Sequence, residues 1–242
     1  MCTISFTPCS NSLVFTFSRD EKPERRTGNF IVTEQLPHKK IFFAQDSKAG
    51  GSWFAADSLG NVAMLFNGGF ITHAKKQGYA KSRGIILKEI AAAENMLLFF
   101  ENVPLEEIEP FSVLLLENNQ LYRLTWTGIE KNISSLEITG TYIFSSSTLY
   151  SEKIQRLRGQ WFNEYLQQQP FVNSQTIFDF HATCNKQDKE NGLVIERAGG
   201  CSTLSISQAV ISGKQTLLKH LDLRTGDLYV QSISKHEHET VF

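Results

Sequence analysis

Thr3-Ile4-Ser5-Phe6 and Leu13-Val14-Phe15-Thr16-Phe17 are the stretches that decide the fold class. In both, apolar side chains alternate with hydroxyl-bearing ones or form a short run, which is typical of β-strands. Similar runs at Lys40–Ala44, Trp53–Ala56 and Val62–Phe66 are separated by Pro, Asn, Asp and Gly residues. The first third of the chain is therefore predicted to be a meander of strands.

Helical spacing marks two later regions of the sequence. Good helix formers predict helices over Arg83–Ala93 and Glu94–Phe100. Apolar residues three or four positions apart predict an amphipathic helix over Leu149–Gln168, and a shorter helix is expected over Ser174–Thr183.

The strand pattern returns between and after these helices. The further predicted strands are Phe111–Leu116, Leu121–Trp126, Thr141–Ser145, Ser202–Val210, Gln215–Leu223 and Asp227–Ser234. Blocks of strands and blocks of helices, without βαβ alternation, predict an α+β sandwich of two antiparallel sheets with helices packed outside them. A chain of 242 residues is within the range of one β-rich domain, so a single domain over residues 1–242 is expected.

Charge and composition exclude several classes of partner. The chain has 24 Lys and Arg against 25 Asp and Glu, a net charge of -1, which argues against nucleic acid as a partner. Its apolar runs are too short to span a membrane, and the first residues do not have the pattern of a signal peptide. Four cysteines without a CxxC pair do not indicate a disulfide scaffold. We expect a cytoplasmic protein that binds a small molecule; the oligomeric state is left open.

Cys2 is the first candidate for chemistry. A small residue after Met1 favours removal of that methionine, which would leave a thiol and a free α-amine on one residue. An α-amine titrates at about 7.7–8.0, so near neutral pH it can accept the thiol proton. The alternative is that Cys2 is an ordinary residue of a buried first strand.

Ser18-Arg19-Asp20-Glu21 follows directly after the second strand. If the first two strands pair as a hairpin, Arg19 would lie near Cys2 and lower the pKa of its thiol or hold a substrate carboxylate. A neighbouring carboxylate would orient the α-amine. The alternative is an ordinary solvated turn that continues into the charged residues after it.

Two glycine-rich segments and one cation complete the candidate site. Asn67-Gly68-Gly69 offers a side-chain amide and backbone N–H groups suited to stabilising an oxyanion. Gly50-Gly51-Ser52-Trp53 and Arg83 of Lys81-Ser82-Arg83-Gly84 are candidates for binding substrate. Turn formation and a surface charge are the alternatives for these residues.

These motifs, in this order and together with Met1-Cys2-Thr3-Ile4, resemble the NRDE family, also called the transport and Golgi organisation protein two family. Ser145–Tyr150, with Arg158 and Trp161 on the helix that follows, is similar to the bacterial branch of that family. The family is in turn similar to N-terminal-nucleophile hydrolases of the choloylglycine hydrolase and penicillin V acylase type. This resemblance implies a four-layer αββα sandwich with a cysteine nucleophile.

The resemblance implies a role for each matching residue. Cys2 corresponds to the nucleophile, Arg19 and Asp20 to the charged pair beside it, and Asn67 to the oxyanion-hole asparagine. Glu21 is the alternative to Asp20, and Glu21, Trp53, Arg83 and Ser147 are assigned to substrate binding.

The sequence also departs from the hydrolases. Ser18 and Ser147 stand where asparagine is expected, and no arginine matches the late site arginine, although Arg197 lies in that region.

Two functions follow from these considerations, and both stay open. One is a Cys2-dependent hydrolase of a linear, non-peptide amide or related acyl compound. The other is a non-catalytic carrier or chaperone for a hydrophobic or anionic small molecule such as haem or an acyl-CoA. Neither a cofactor nor a metal ion is expected for the hydrolase, and His236-Glu237-His238 offers too few ligands for a strong metal site.

Overall fold

The structure, a computed structural model, describes residues 2–28, 30–74, 76 and 78–235. The tail that contains His236-Glu237-His238 lies outside these residues. The strands are β1 (Cys2–Cys9), β2 (Ser12–Glu21), β3 (Val32–Gln35), β4 (Lys40–Phe43), β5 (Phe54–Asp57), β6 (Val62–Asn67), β7 (Phe111–Glu117), β8 (Gln120–Trp126), β9 (Lys131–Leu136), β10 (Tyr142–Ser145), β11 (Ser202–Ser212), β12 (Gln215–Asp222) and β13 (Leu228–Ser234). The helices are α1 (Arg83–Ala92), α2 (Met96–Asn102), α3 (Glu152–Gln167) and α4 (Ser174–Thr183).

The strands form two antiparallel sheets. One has six strands in the order β10-β1-β2-β11-β12-β13, and the other has seven in the order β3-β4-β5-β6-β7-β8-β9. The seven-stranded sheet is a meander, because each of its strands pairs with the next along the chain. The six-stranded sheet brings β10 and β11 from later in the chain to either side of the β1–β2 hairpin.

Three apolar layers hold these elements together. The inner faces of the two sheets form the central core, to which β1 contributes Ile4 and Phe6. Helices α1 and α2 pack on the outer face of the seven-stranded sheet through residues such as Leu87 and Phe100. Helices α3 and α4 cover the six-stranded sheet, where Phe162 and Phe180 are fully buried. The predicted α+β architecture is confirmed as a four-layer αββα sandwich.

The sequence pattern missed two strands and placed the starts of two helices too early, since α3 begins at Glu152 and not at Leu149. Strands β3 and β9 lie at the edges of the seven-stranded sheet, where exposed side chains remove the apolar alternation. Helix α2 begins after Asn95, whose side chain accepts a hydrogen bond from the Leu98 N–H, and not at Glu94. None of the helices in the described part of the chain has the length and apolar character needed to cross a bilayer.

Candidate active site

The β1–β2 register places Cys2 directly opposite Arg19. Side chains of directly paired residues lie on the same face of a sheet, and here that face points toward the second sheet. The hairpin expected from the sequence is therefore confirmed, and it brings the predicted nucleophile and the predicted cation together.

A cavity of about 340 Å³ opens beside this pair. Six of the eight predicted site residues line it: Cys2, Arg19, Glu21, Trp53, Asn67 and Arg83. They come from both sheets and from the start of α1, so the cavity lies where the sandwich meets one of its helix layers. Asp20 and Ser147, the other two predicted residues, are not part of its wall.

Arg19 is held firmly in the cavity wall. It is only 3% exposed, and its Nη2 atom donates to Asp46 Oδ2 at 2.6 Å. The guanidinium also lies over the Trp53 ring, 3.9 Å from its centroid. A buried arginine with both a carboxylate partner and an aromatic face is strongly fixed in position. Arg19 therefore presents a stationary positive charge beside Cys2.

Asp46 is a site residue that the sequence did not indicate. Its Oδ1 atom accepts the N–H groups of Lys48 and Ala49, which stabilises the turn before Gly51. Its Oδ2 atom binds both Arg19 and Arg25. An Asp that precedes a Gly-rich turn is easily recognised as a turn residue, but its arginine partners come from β2 and from the loop that follows β2.

Glu21 faces the cavity together with Cys2 and Arg19, because alternate residues of a strand share a face. Arg25 Nη1 donates to Glu21 Oε2 at 2.9 Å. Burial alone would raise the pKa of Glu21, but the charge of the amino terminus, the Lys22 N–H and Arg25 together hold it below its ordinary value. Glu21 is thus a carboxylate at neutral pH, and the amino terminus is the strongest of the influences that keep it ionised.

Asp20 points to the opposite face of β2, into the layer beneath α3. It is 1% exposed and accepts hydrogen bonds from Tyr150 Oη at 2.8 Å and Thr203 Oγ1 at 2.7 Å. Burial raises the pKa of this carboxyl group, against the lowering effect of Arg158 and of the two hydroxyl donors. Of the two candidate carboxylates, Glu21 therefore lines the cavity and Asp20 lies behind the strand.

Arg158 of α3 closes this buried polar layer. Its guanidinium stacks on Tyr150 at 3.6 Å, and it donates to the carbonyls of Asn191 and Gly192 and to the Thr3 hydroxyl. Thr3 follows Cys2 in β1, so the network fixes the strand that carries the predicted nucleophile.

Replacing Arg158 with methionine is expected to lower the free energy of unfolding by about 3–5 kcal/mol, because two carbonyls and a hydroxyl lose their buried donor. Urea denaturation measures this value. An equal substitution of Arg156 is the control, since that side chain is 71% exposed on the same helix. A loss below about 1 kcal/mol, the range of an exposed ion pair, would contradict a structural role for the network.

The Cys2 thiol is buried, and its pKa reflects that. Burial raises the pKa to about 11, and Asp20 acts in the same direction. The amino terminus and Arg19 lower the pKa, as expected from their charge, but they do not outweigh burial. The resting group at neutral pH is therefore the thiol, and attack on a substrate requires transfer of its proton to a base.

Asn67 ends β6 at the edge of the cavity. Within the described residues, its side-chain amide has no hydrogen-bond partner, so its N–H groups are available to a ligand. Ser146 connects this residue to the nucleophile: its N–H donates to the Cys2 carbonyl at 2.9 Å, and its hydroxyl donates to the Asn67 carbonyl at 2.8 Å. Ser146 thus fixes the distance between β1 of the six-stranded sheet and the end of β6 in the seven-stranded sheet.

Ser147, which the sequence assigned to substrate binding, lies outside the cavity wall. Its hydroxyl donates to the carbonyls of Gly69 and Ile71 at 3.3 and 3.2 Å. It also occupies the space that a side chain at Gly68 would need, and Gly68 has a φ of 89° that favours glycine. Ser147 therefore supports the turn that follows Asn67.

Arg197 is not positioned to replace the late site arginine. Its Nε donates to the Glu190 carbonyl at 2.9 Å, and its guanidinium lies 5.1 Å from the Tyr150 ring centroid. It does not line the cavity. The cations that do so are Arg19, Arg25, Lys81 and Arg83.

Arg83 forms the far wall of the cavity, at the start of α1. Its Nη2 lies 3.0 Å from Glu109 Oε2, and its Nη1 donates to the Pro110 carbonyl at 3.3 Å. A close backbone contact fixes this helix end, because a Cβ atom on Gly51 would lie 2.7 Å from the Gly84 carbonyl carbon. The glycines at these two positions let Arg83 and Trp53 share one cavity.

The lining has more positive than negative side chains. Among the described residues, four cations of the lining face three carboxylates: Glu21, Asp46 and Glu109. No group of three or more His, Cys, Asp or Glu residues is placed to hold a metal ion in the ranges that the structure describes.

The family described as Transport and Golgi organisation 2 matches residues 1–214. The chain belongs to this family. Among curated proteins, none matches the chain in sequence.

Two hydrolases of known structure are similar to this chain in fold, at low sequence identity. A mutant of conjugated bile acid hydrolase from Clostridium perfringens has a TM-score of 0.57 at 9% identity, covering 98% of this chain and 94% of the hydrolase. The Caenorhabditis elegans orthologue of N-acylethanolamine-hydrolyzing acid amidase has a TM-score of 0.55 at 8% identity, covering 86% and 92%. These similarities show that the fold is that of N-terminal-nucleophile hydrolases.

Proposed function

We propose that, once Met1 is removed, the protein is a cysteine N-terminal-nucleophile hydrolase of a linear, non-peptide amide or related acyl compound. The observation that carries the proposal is the shared cavity: the Cys2 thiol, the Asn67 side-chain amide and the fixed Arg19 cation line one space of about 340 Å³. A nucleophile, an oxyanion donor and an orienting charge in one cavity are the groups that acyl transfer needs.

The proposed reaction begins with attack of Cys2 Sγ on the acyl carbon. The thiol proton passes to the α-amine of the same residue, and the Asn67 amide stabilises the oxyanion. The C–N bond then breaks, and the leaving amine takes the proton from the α-ammonium group. Water hydrolyses the resulting thioester, which releases the acid and restores the thiol. No further cofactor takes part.

The raised pKa of Cys2 fits this sequence of steps. With a pKa of about 11, few Cys2 groups are thiolates at rest, so the α-amine must act as a base during attack. Glu21 is the carboxylate that we assign to orienting this amine, because it lines the cavity on the same face of the sheet as Cys2 and Arg19. The family resemblance favours Asp20 instead. Because Asp20 lies on the other face of β2, it would affect the α-amine only indirectly, by fixing the end of the strand.

The shape and charge of the cavity indicate the kind of substrate. Trp53 provides an apolar surface, but one face of its ring is covered by Arg19. Arg83 is paired with Glu109, so an anionic substrate group would have to compete with an existing ion pair. These features favour a slender acyl compound with polar ends over a bulky apolar one.

A second function is favoured by one observation, the burial that keeps Cys2 protonated. A thiol that never loses its proton would leave a binding cavity without a nucleophile. In that case the protein would be a carrier or chaperone for a hydrophobic or anionic small molecule, such as haem or an acyl-CoA, as considered from the sequence.

An acylation experiment separates the two functions. Protein whose intact mass shows loss of Met1 is mixed with p-nitrophenyl butyrate, and release of p-nitrophenolate is followed together with the mass of the Cys2 peptide. A burst of product and a butyryl group on Cys2 are expected for the hydrolase. A Met1-free protein that gives neither would contradict the hydrolase and favour the carrier.

The pH dependence of acylation is expected to report the α-amine. The rate should rise with pH as the amine loses its proton, at about pH 7.7–8.0 for an unperturbed group. A nearby carboxylate stabilises the ammonium form, so Glu21→Gln should lower the amine pKa and move this rise to lower pH.

Stopped-flow acylation rates between pH 5 and 9 measure the shift. Glu24→Gln is the matched control, because Glu24 is an exposed carboxylate three positions further along the chain. An unchanged profile in Glu21→Gln would contradict the assignment of Glu21, and a shift to higher pH would contradict the electrostatic argument.

A further inference from the structure

Arg123 is a partly buried cation outside the Cys2 cavity. It lies in the middle of β8, opposite Leu114 of β7 and Ser134 of β9. Its side chain points into the space between the sheets, where it meets Phe144 of the edge strand β10. The guanidinium therefore lies at the open edge of the sandwich.

Three aromatic rings surround this guanidinium. Its central carbon is 4.9 Å from the ring centroid of Phe70, 5.0 Å from that of Phe144 and 5.7 Å from that of Phe66. Its Nε atom is inaccessible to solvent and has no hydrogen-bond partner among the described residues. Aromatic faces attract a cation, but they do not accept its N–H groups as carboxylate or carbonyl oxygens do.

An acidic partner is also missing from the part of the chain that the structure describes. The other cations near the sheets differ in this respect: Arg19 is paired with Asp46, and Arg83 with Glu109. Burial lowers the pKa of Arg123, and no charged neighbour opposes it. An arginine removed from water without a counter-charge is costly, so an anion supplied from outside would relieve that cost.

The approach to Arg123 is apolar. Phe70, whose ring covers one side of the guanidinium, is 49% exposed, and the adjacent Ile71 is 79% exposed. An anion bound to Arg123 would lie close to the exposed Phe70 ring, against which an alkyl group attached to the anion could pack. The positive charge of Arg123 and the apolar surface of Phe70 thus lie next to each other.

We propose that Arg123, with Phe66, Phe70 and Phe144, forms a binding site for a single-chain amphiphilic anion. The guanidinium binds a carboxylate or phosphate head group through its unused N–H groups. Phe70 and Ile71 contact the first part of the alkyl chain. This site is separate from the Cys2 cavity, and it does not depend on whether the protein is a hydrolase.

Isothermal titration calorimetry of the full chain with four probes tests the site. Octanoate and octyl phosphate carry the anion and the chain, 1-octanol carries the chain alone, and acetate carries the anion alone. Both octyl anions are expected to bind at least about tenfold more tightly than 1-octanol or acetate. Equal affinity for octanoate and 1-octanol, or no binding of either octyl anion up to about 10 mM, would overturn the proposal.

Variants then locate the binding. Arg123→Gln is expected to weaken octanoate binding about tenfold or more, and Arg123→Lys less, because lysine keeps the charge but not the fork of donors. Arg156→Gln removes an exposed arginine of α3 and should leave the affinity unchanged. Octanoate binding that is the same in Arg123→Gln as in the wild type would overturn the assignment.

Thermal unfolding separates a binding role from a structural one. An unpaired buried charge contributes little to stability, so Arg123→Gln should melt within a few degrees of the wild type or above it. If Arg123→Gln does not fold, Phe70→Ala provides the test, since it keeps the charge and removes the exposed ring. That variant is expected to reduce the preference for octanoate over acetate, and an unchanged preference would overturn the proposal.

Discussion

Replacing Cys2 with alanine is expected to lower the turnover of any amide or ester that the wild-type protein hydrolyses by about 10⁴- to 10⁶-fold. Alanine is also small enough to allow removal of Met1, so the variant keeps a free α-amine and loses only the sulfur atom. The comparison therefore isolates the nucleophile from the base. Steady-state rates and intact mass of both proteins provide the measurement.

Cys201→Ala is the matched control for this substitution. Cys201 is 8% exposed, and burial raises the pKa of its thiol to about 11, as it does for Cys2. It does not line the Cys2 cavity. We expect turnover to persist in Cys201→Ala. A Cys2→Ala protein with the same turnover as the wild type would exclude the proposed reaction, whatever its substrate.

Acid is expected to destabilise the protein strongly, because two buried histidines stay neutral in the folded state. His181 lies between the Ser5 and Ser18 hydroxyls at 2.8 and 2.7 Å on the reverse side of β1 and β2. Burial, with a contribution from the positive charge of Arg158, lowers its pKa from 6.5 to about 3. Burial likewise lowers the pKa of His220 to about 4.

The sign of the effect follows from proton binding. Below pH 6.5 the unfolded chain binds protons on these imidazoles, whereas folded His181 remains neutral until about pH 3 and His220 until about pH 4. Their stabilising contribution is complete above the unfolded pKa and is lost as the pH falls. Each group costs at most about 1.4 kcal/mol per pH unit, and both together cost about 5–6 kcal/mol between pH 6.5 and 4.

Urea denaturation at several pH values between 7 and 4 measures this loss. Asp20, whose pKa is raised by burial, acts in the opposite direction, so the comparison with variants is decisive. His181→Gln and His220→Gln should each reduce the slope of stability against pH by about 1.4 kcal/mol per unit. A slope that is unchanged in both variants would mean that these imidazoles are protonated in the folded protein.

The sequence predicted the layers of the fold because apolar residues recur at strand spacing or helix spacing in most elements. Buried strands such as β1 and β2 alternate along their length, and α3 repeats its apolar residues at helical spacing. Edge strands such as β9 lack the signal because their side chains are exposed. The residue patterns thus report burial, and they miss strands that are defined mainly by backbone hydrogen bonds.

The parts of the candidate site that lie on one hairpin could be predicted from the sequence. The contacts between residues far apart in the sequence could not. The Cys2–Arg19 pair follows from a simple hairpin, and strand alternation explains why Glu21 shares their face while Asp20 does not. Asp46 and Ser146 were missed, because their partners belong to other parts of the fold. Arg123 was missed for a related reason, since a cation without a partner is not recognisable from sequence.

The two hydrogen bonds of Ser146 affect which residues of the protein can be substituted. Its two partners, the carbonyls of Cys2 and Asn67, are backbone atoms and do not depend on side-chain identity. Residues of the central core can therefore change in volume, and the two sheets can shift slightly, while the reactive groups keep their spacing. Proteins with very different interiors could keep this backbone arrangement, and the fold itself is shared with solved structures at 8–9% identity.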